Sequence, residues 1–173
     1  IGAGPAGLSA AHCLATAGYD VTVYESSTEA GGMLVRGIPT FRLEREVVRE
    51  QIQKLVDAGL KIKLNAKVNQ STIEDMKTEY DAIIVAAGTP QSRELTIPGF
   101  RLSGIMTAMN FMERINNGQK LRRHLGQLFN FENGQAVVIG GGSVAMDCAR
   151  AAVRLGASKV TCVCLEEGEA VPA

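Results

Sequence analysis

The chain has 173 residues, and its 18 basic and 18 acidic side chains give a net charge of zero. A chain of this length suits one sizeable hydrophobic core or two small ones. Because the charges cancel, neither nucleic acid nor an anionic membrane is expected as a partner. No window approaches the roughly 18 apolar residues that a membrane span needs. We therefore expect a cytoplasmic protein that binds small molecules.

The cysteines also favour a cytoplasmic location, because they lie in apolar helical or strand patterns rather than in the loops of a disulfide scaffold. The four are Cys13, Cys148, Cys162 and Cys164. We predict that all are reduced and buried. Cys162 and Cys164 are two apart on one predicted strand, a poor geometry for a disulfide, so no thiol relay is expected. The chain begins on a glycine motif and stops straight after a predicted strand, and we expect a fragment truncated at both ends.

The first motif is the glycine-rich turn Gly2-x-Gly4-x-x-Gly7, followed by a small-residue helical stretch and an apolar strand over 21–24. The first glycine allows a tight turn, the second lets the backbone approach a pyrophosphate, and the third lets the helix lie against the sheet. The strand closes on Glu25, whose carboxylate is placed to accept hydrogen bonds from ribose hydroxyls. The alternative is that Glu25 is only a solvated strand end. The pattern predicts a dinucleotide-binding unit.

Further elements follow from periodicity and turn residues. The sequence predicts helices over 6–17 and 43–58 and a third parallel strand over 61–64. The continuous apolar run over 82–87 predicts a strand buried on both faces. Turn residues at 116–118 and 133–134 then mark a looser region, where we place the join between two domains.

The opening unit recurs after that join. The run 136–139 leads into Gly140-x-Gly142-x-x-Ala145, a predicted helix and a strand over 160–164. Adding 138 to the positions of the first turn gives those of the second, as expected for an internal repeat. We predict an α/β fold with two Rossmann-like dinucleotide-binding units, one domain over 1–130 and the first βαβ unit of a second domain over 131–173.

Several motifs together resemble one family. They are Gly-Gly-Met-Leu at 31–34, Gly-Ile-Pro-Thr-Phe-Arg-Leu at 37–43, Ala-Ala-Gly-Thr at 86–89, Ile-Pro-Gly at 97–99 and Gly-Gly-Gly-Ser-Val-Ala-Met-Asp at 140–147. In this combination the chain resembles the small subunit of glutamate synthase and the related nucleotide-binding part of dihydropyrimidine dehydrogenase.

The resemblance implies that the domain over 1–130 binds FAD and that the domain over 131–173 binds NAD(P). It also implies which residues hold each nucleotide. For FAD, they are Gly2, Gly4, Ala6, Gly7, Glu25, Gly32, Met33, Arg42, Val68 and Gly88. For the phosphates of the nicotinamide dinucleotide, they are Gly140, Gly141, Gly142, Ser143 and Val144. For Arg42 the alternative is a solvated side chain at the start of a helix.

The end of the last strand bears on the choice between NADH and NADPH. NADPH-using members of the family carry two adjacent basic residues there, whereas this chain has Leu165 and Glu166. A carboxylate repels a 2′-phosphate and suits a free 2′-hydroxyl, so NADH is favoured and Glu166 becomes a candidate contact. Against this, the repeat aligns Cys164 rather than Glu166 with Glu25 if no bulge intervenes.

The function implied is hydride transfer between the nicotinamide nucleotide and FAD. The electrons then pass to an iron-sulfur or flavin partner, with any iron-sulfur cluster outside this chain. Because the cofactor performs the chemistry, no catalytic side chain and no metal ligand is nominated. The alternatives are a flavin reductase with a different acceptor and a non-catalytic nucleotide-binding regulatory or assembly module.

Overall fold

A computed structural model describes residues 1–92, 94–118 and 134–165. The chain forms two compact units, Ile1–Pro90 and Gln91–Ala173. The domain join predicted between residues 130 and 131 lies outside the described residues. In both units strands pair in parallel and helices connect them, so the predicted α/β class is confirmed.

The first unit follows the predicted order of elements closely. Its helices and strands are α1 (Pro5–Thr16), β1 (Thr22–Tyr24), α2 (Met33–Arg36), α3 (Arg45–Asp57), β2 (Lys61–Lys63) and α4 (Gln70–Glu79). Helix α1 starts on a proline, which suits the first helical position because no acceptor is needed for its missing N–H. The chain leaves α1 through Gly18, whose φ of 92° is left-handed.

Strands β1 and β2 pair in parallel, with Thr22 opposite Lys61 and Tyr24 opposite Lys63. The opening segment lies on the other side of β1, because the Gly2 N–H donates to the Tyr24 carbonyl at 2.8 Å. Helix α1 crosses over between this segment and β1. The start of the glycine turn is thus fixed to the sheet.

The run over 82–87 corrects one prediction. It is not a regular strand in the structure, and Ile84 and Val85 are 47% and 68% exposed rather than buried. Its backbone hydrogen bonds run to one residue, with the Ile1 nitrogen donating to Ile84 and the Ala86 N–H donating to Ile1. A single partner residue neither builds a ladder nor covers two faces. The run is apolar, but the described residues form neither the regular strand nor the burial on both faces that its pattern predicts.

The core of the first unit joins the turn, α1 and the sheet. Its buried members are Ala3, Leu8, Ala11, Val23, Ala30 and Leu60, with Val21, Ile52, Leu55 and Ile62 packed against them. Small residues dominate the α1 side, so the helix approaches the strands closely. Because α1 lies so close to the strands, its first turn lies at the edge of the sheet that carries the glycine motif.

The second unit contains α5 (Ala108–Gly118), β3 (Gln135–Ile139), α6 (Ser143–Arg154) and β4 (Lys159–Val163). Strands β3 and β4 pair in parallel and without a bulge, from Gln135 opposite Lys159 to Ile139 opposite Val163. Helix α6 packs on both strands and on α5. Its buried face consists of small residues, among them Ala145, Cys148 and Ala151.

Over residues 1–92, 94–118 and 134–165, no helix has the length and apolar character that crossing a membrane requires.

Candidate functional site

The first glycine turn has a backbone that only glycine adopts readily. Gly2 has a φ of 102°, and a Cβ there would overlap the carbonyl oxygen of Ala86. Gly4 caps α1 without a side chain, and Pro5 has no N–H, so the amides of Ala6 and Gly7 open the helix without an intrahelical acceptor. A helix start of this kind is suited to hold a phosphate.

Gly7 plays a packing role. A Cβ on Gly7 would overlap the carbonyl oxygen of Gly2. The residue therefore lets α1 press against the turn.

A second glycine pair closes over the first turn. The Gly31 N–H donates to the Ala3 carbonyl at 2.7 Å. Gly32 has a φ of 53°, and a Cβ built on it would lie 2.7 Å from the Cα of Gly4. Two backbone segments thus approach each other with no side chain between them. The glycine pair thus lies directly against the first turn.

Glu25 is buried, with 8% of its surface exposed, and its carboxylate is anchored by the protein itself. One oxygen accepts the Ala3 N–H at 2.8 Å, and the other accepts the Ser27 N–H at 2.8 Å and the Ser26 hydroxyl at 3.2 Å. Burial acts to raise the pKa of Glu25, but the hydrogen bonds from Ala3, Ser27 and Ser26 outweigh it and the pKa is lowered.

The structure therefore gives Glu25 a role that the sequence did not reveal. It is not a solvated strand end, and it organises the turn in addition to facing the cavity described next. A carboxylate has about four lone-pair sites, and the Ser27 hydroxyl also acts on this one, in addition to the Ala3 and Ser27 N–H groups and the Ser26 hydroxyl. The protein itself thus supplies most of the hydrogen bonds that the carboxylate can accept.

These segments enclose a cavity of about 430 Å³, a size typical of small-molecule sites. Of the residues predicted to bind FAD, those that line it are Gly2, Gly4, Ala6, Glu25, Gly32, Met33, Val68 and Gly88. Arg42 is exposed and does not line this cavity. The structure thus brings together most of the predicted set.

Sequence reasoning missed two cations and a tyrosine on the cavity wall, namely Arg36, Lys67 and Tyr24. Arg36 ends the short helix α2, and Lys67 follows Ala66, whose N–H donates to the Glu25 carbonyl at 2.8 Å. Both reach the cavity because α2 and the segment after β2 meet there, which no local sequence pattern indicates. The cations favour an anionic ligand.

Tyr24 belongs to a small cluster at the end of β1 and β2. Its hydroxyl lies 2.9 Å from that of Tyr80 and accepts a hydrogen bond of 2.9 Å from the Lys63 ammonium. The two rings pack edge to face at 6.2 Å. The hydrogen bond from Lys63, followed by that of Tyr80, lowers the pKa of Tyr24. The cluster fixes the tyrosine ring at the cavity edge.

The second glycine turn repeats the backbone of the first. Gly140 has a φ of 131°, and its N–H donates to the Val163 carbonyl at 2.7 Å. Gly142 caps α6 with a φ of −80° and a ψ of 173°, against −79° and −179° for Gly4 before α1. The predicted residues Gly141, Ser143 and Val144 lie at this turn or in the first turn of the helix, with Ser143 and Val144 exposed. This helix start also suits a phosphate.

Glu166, the residue predicted to read the ribose, lies outside the described residues. Leu165 is described and is fully exposed, at 100%. No cationic side chain stands at position 165 to receive a 2′-phosphate.

The cysteines differ from their prediction in burial. None forms a disulfide, but Cys13 and Cys162 are exposed and only Cys148 is fully buried. Cys13 lies on the outer face of α1 and Cys162 on β4, where the described residues do not cover it. Burial, with a smaller contribution from Asp147, raises the pKa of Cys148 to about 11. Within the described ranges, no group of three or more His, Cys, Asp or Glu side chains could hold a metal ion.

Each of the two units pairs its strands in parallel and places a helix start behind a glycine turn, which is the arrangement typical of nucleotide-binding α/β proteins. The chain belongs to the pyridine nucleotide-disulphide oxidoreductase family, whose model matches residues 1–168.

Three similar proteins illustrate this membership. The chain is 40% identical over 174 residues to the NAD-dependent dihydropyrimidine dehydrogenase subunit PreT of Escherichia coli, covering 100% of this chain and 40% of that one. It is 36% identical over 176 residues to the glutamate synthase [NADPH] small chain of Azospirillum brasilense, covering 99% and 36%. The solved structure of Mycobacterium tuberculosis FprA (His57Gln mutant) matches its fold with a TM-score of 0.73 at 22% identity, covering 93% and 41%. The chain thus spans about two fifths of the length of these relatives.

The predicted resemblance to the glutamate synthase small subunit and to dihydropyrimidine dehydrogenase is confirmed by these matches.

Proposed function

We propose that this chain is the nucleotide-binding core of an FAD-dependent oxidoreductase. It moves a hydride between NAD(P)H and FAD and passes electrons on to an iron-sulfur or flavin partner. The observation that carries this proposal is the cavity of the first unit, where a glycine turn, a helix start, a glycine pair and a buried carboxylate converge. The repeated turn in the second unit supplies a place for the second nucleotide.

The residues present fit FAD. At Gly2 and Gly32 a Cβ would fill the space between backbone segments, and Ala6, in the first turn of α1, lines the same cavity. In this proposal Ala6 and Gly7 hold the diphosphate by their N–H groups, and Arg36 and Lys67 offset its charge. Glu25 accepts ribose hydroxyls, while Met33, Val68 and Gly88 complete the wall. When bound, FAD supplies the hydride-accepting chemistry, and these residues bind it, orient it and exclude water.

For the second unit we propose a nicotinamide dinucleotide held at Gly140–Val144, with NADH preferred over NADPH. The preference rests on Leu165 and Glu166 standing where a 2′-phosphate would need cations. The names of the relatives include both an NADPH-using and an NAD-dependent protein, so they do not decide between the two. We keep the domain assignment of 1–130 for FAD and 131–173 for the nicotinamide nucleotide. The proposal also places the protein in the cytoplasm, where unbridged cysteines persist.

The test of the main proposal uses the full-length parent protein. We expect it to purify yellow with noncovalent FAD, and we expect NADH to bleach the flavin absorbance under anaerobic conditions. A matched control is Gly4→Val, which places a branched side chain in the cavity while leaving the second unit untouched. A colourless parent protein that takes up no FAD would refute the proposal. A yellow protein that no nicotinamide nucleotide reduces would indicate a binding module instead.

The nucleotide preference has its own test. Replacing Leu165 and Glu166 together by arginine should remove repulsion and add donors. We expect the kcat/KM ratio to move toward NADPH by at least about tenfold, or ~1.4 kcal/mol. If the wild type already favours NADPH, or the double variant leaves the ratio unchanged, these residues do not read the ribose.

A further inference from the structure

One wall of the cavity is held in place by a helix that lies outside it. Residues 29–36, which we call the α2 segment, contain the glycine pair and helix α2. The segment contributes three residues to the cavity wall, namely Gly32, Met33 and Arg36. Among the described residues, none of those that line the cavity belongs to α3. Helix α3 can therefore affect a ligand in the cavity only through the segments that it contacts.

The α2 segment packs on α3 through apolar side chains. A Cβ built on Gly31 would lie 2.8 Å from the side chain of Val35, in α2, and 3.3 Å from that of Val48, in α3. Both valines are buried. A helix of four residues makes too few internal hydrogen bonds to be stable by itself, so the position of α2 depends on these outside contacts.

Arg45, in the first turn of α3, supplies a polar contact to the same segment. Its Nη1 donates to the Leu34 carbonyl at 3.0 Å. The last carbonyls of a helix lack intrahelical donors, and the N–H groups of Gly37 and Ile38 both donate to Met33. Arg45 therefore satisfies a carbonyl that α2 leaves open. A cation in the first turn opposes the macrodipole of its own helix, so the contact with Leu34 is the gain that this position offers.

Arg49, one turn later in α3, contacts the other end of the segment. Its Nε donates to the Glu29 carboxylate at 2.8 Å and its Nη1 to the Glu46 carboxylate at 3.2 Å. Burial lowers the pKa of Arg45, whereas the charge of Glu29 acts to raise it, so Glu29 interacts with both guanidinium groups. The two arginines thus contact the α2 segment on either side of the glycine pair.

We propose that Arg45 and Arg49 are positioning residues that hold the α2 segment in the conformation that binds FAD. This inference deepens the proposed function and rests on it. Neither arginine lines the cavity, so each acts through the segment and does not touch FAD. When an anchor is lost, the segment occupies this conformation for a smaller fraction of the time, and the apparent affinity for FAD falls by that fraction.

FAD binding to the apoprotein of the full-length parent tests the first anchor. Arg45→Met keeps an aliphatic side chain but removes the donor to Leu34. We expect the FAD dissociation constant, measured by the change in flavin fluorescence, to rise by at least about tenfold. Arg45→Lys keeps a donor and should recover most of the affinity. Lys54→Met is the matched control, because it removes a cation from an exposed position of the same helix, and it should change the constant by no more than about twofold.

The second anchor is tested by a double-mutant cycle. Arg49→Met and Glu29→Gln should each weaken FAD binding by about twofold to fivefold, since their ion pair is partly exposed. Because both changes remove the same ion pair, the double variant should bind FAD about as well as either single variant. Effects that multiply would overturn the role of this ion pair.

Hydrogen exchange separates positioning from a general loss of stability. In the apoprotein of Arg45→Met, the amides over 31–37 should exchange at least about fivefold faster than in the wild type, while those of α6 keep their rates. Three results would each overturn the role of Arg45. They are an unchanged affinity for FAD, a weakened affinity with wild-type exchange over 31–37, and no recovery in Arg45→Lys.

Failure of the proposed function would look different. A wild-type parent that takes up no FAD would refute that function. The exchange measurement requires no ligand, so it still shows whether Arg45 holds the α2 segment.

Discussion

The two glycine turns share their backbone geometry but differ in what surrounds them. In the first, a Cβ at the third motif position would overlap the Gly2 carbonyl, so that residue is Gly7. In the second, the same position holds Ala145, whose Cβ would lie 3.5 Å from a Cβ built on Gly140. The first turn is enclosed by a glycine pair and a buried acid, and in the second the described residues leave Gly142 open. The glycine motif thus determines the backbone conformation of the turn, and the residues around it determine how enclosed the turn is.

Exchanging the third motif residue, Gly7 or Ala145, should give the largest difference in stability between the two units. Gly7→Ala forces α1 away from the turn, and we expect a loss of about 1–3 kcal/mol of stability, as for overpacking, together with loss of bound FAD. The reciprocal Ala145→Gly should cost only about 0.5–1 kcal/mol through helix entropy. Urea unfolding and the FAD content of the purified proteins measure both effects. Equal costs for the two exchanges would show that the units are packed alike.

Removing the charge of the buried acid should have the next largest effect. Glu25→Gln keeps the size but weakens the bonds from Ala3 and Ser27, which we expect to cost about 2 kcal/mol in unfolding free energy. Glu25→Ala also removes the acceptor proposed for the ribose hydroxyls, which should weaken FAD binding by about 2–4 kcal/mol. The internal bonds now lead us to expect both losses. Denaturation of the apoprotein separates them, and unchanged apoprotein stability would contradict the anchoring role.

The same residue gives a pH dependence. The pKa of Glu25 is lowered in the folded protein from an ordinary value of 4.5. Its contribution is therefore present above pH 4.5 and is lost as the pH falls through the lower folded value. Stability measured by urea unfolding should decline in this acidic window, and less steeply in Glu25→Gln. Parallel curves for the two proteins would rule out this source.

The second unit has the opposite dependence through Cys148. Burial raises its pKa from 9.0 to about 11, so its neutral form favours the folded state and stability is lost as the pH rises from 9 toward 11. Cys148→Ala should flatten this alkaline decline. The thiol should also react with alkylating agents more slowly than the exposed Cys13 and Cys162 at neutral pH. Equal labelling of the three would contradict its burial.

The smallest expected change in stability is at the open turn. Gly142→Ala places a methyl group where the described residues leave space, at a φ of −80° that alanine readily adopts. We expect stability to change by no more than about 0.5 kcal/mol, while nicotinamide nucleotide binding weakens because the backbone can no longer approach the phosphates. Thermal unfolding and calorimetric titration separate the two. Unchanged nucleotide affinity would indicate that the ligand does not approach this turn.

Much of the fold could be predicted because glycine and periodicity act locally. Gly2, Gly18, Gly140 and Gly156 all have a positive φ, which is a property of the residue itself, and helices α1, α3 and α6 follow from apolar spacing. The sequence did not predict α4 or α5. A signal existed for each, since the Asn69 side chain accepts the Thr72 N–H at 3.0 Å as a helix cap, and Phe111, Met112 and Ile115 are buried at helical spacing.

Several of the residues predicted for the site line the cavity, but the contacts among them could not be predicted. Gly32 and Gly88 belong to the sequence motifs, whereas Val68 was implied only by the family resemblance. The bonds of Glu25 to Ala3 and Ser27 depend on which rotamer the carboxylate adopts, and the contributions of Arg36 and Lys67 depend on two elements meeting in space. Such contacts arise between segments distant in sequence, and a local pattern does not encode them.

Ala3 connects Glu25 to the glycine pair Gly31–Gly32 through its own backbone N–H and carbonyl groups. Its N–H is held by Glu25, its carbonyl accepts the Gly31 N–H, and its side chain is completely buried. In the FAD complex proposed above, a ribose that engages the Glu25 carboxylate is therefore connected through Ala3 to the Gly31–Gly32 loop, which it does not touch. Under that proposal the ribose end and the diphosphate end of the cavity are thermodynamically linked, so ordering one end lowers the cost of ordering the other.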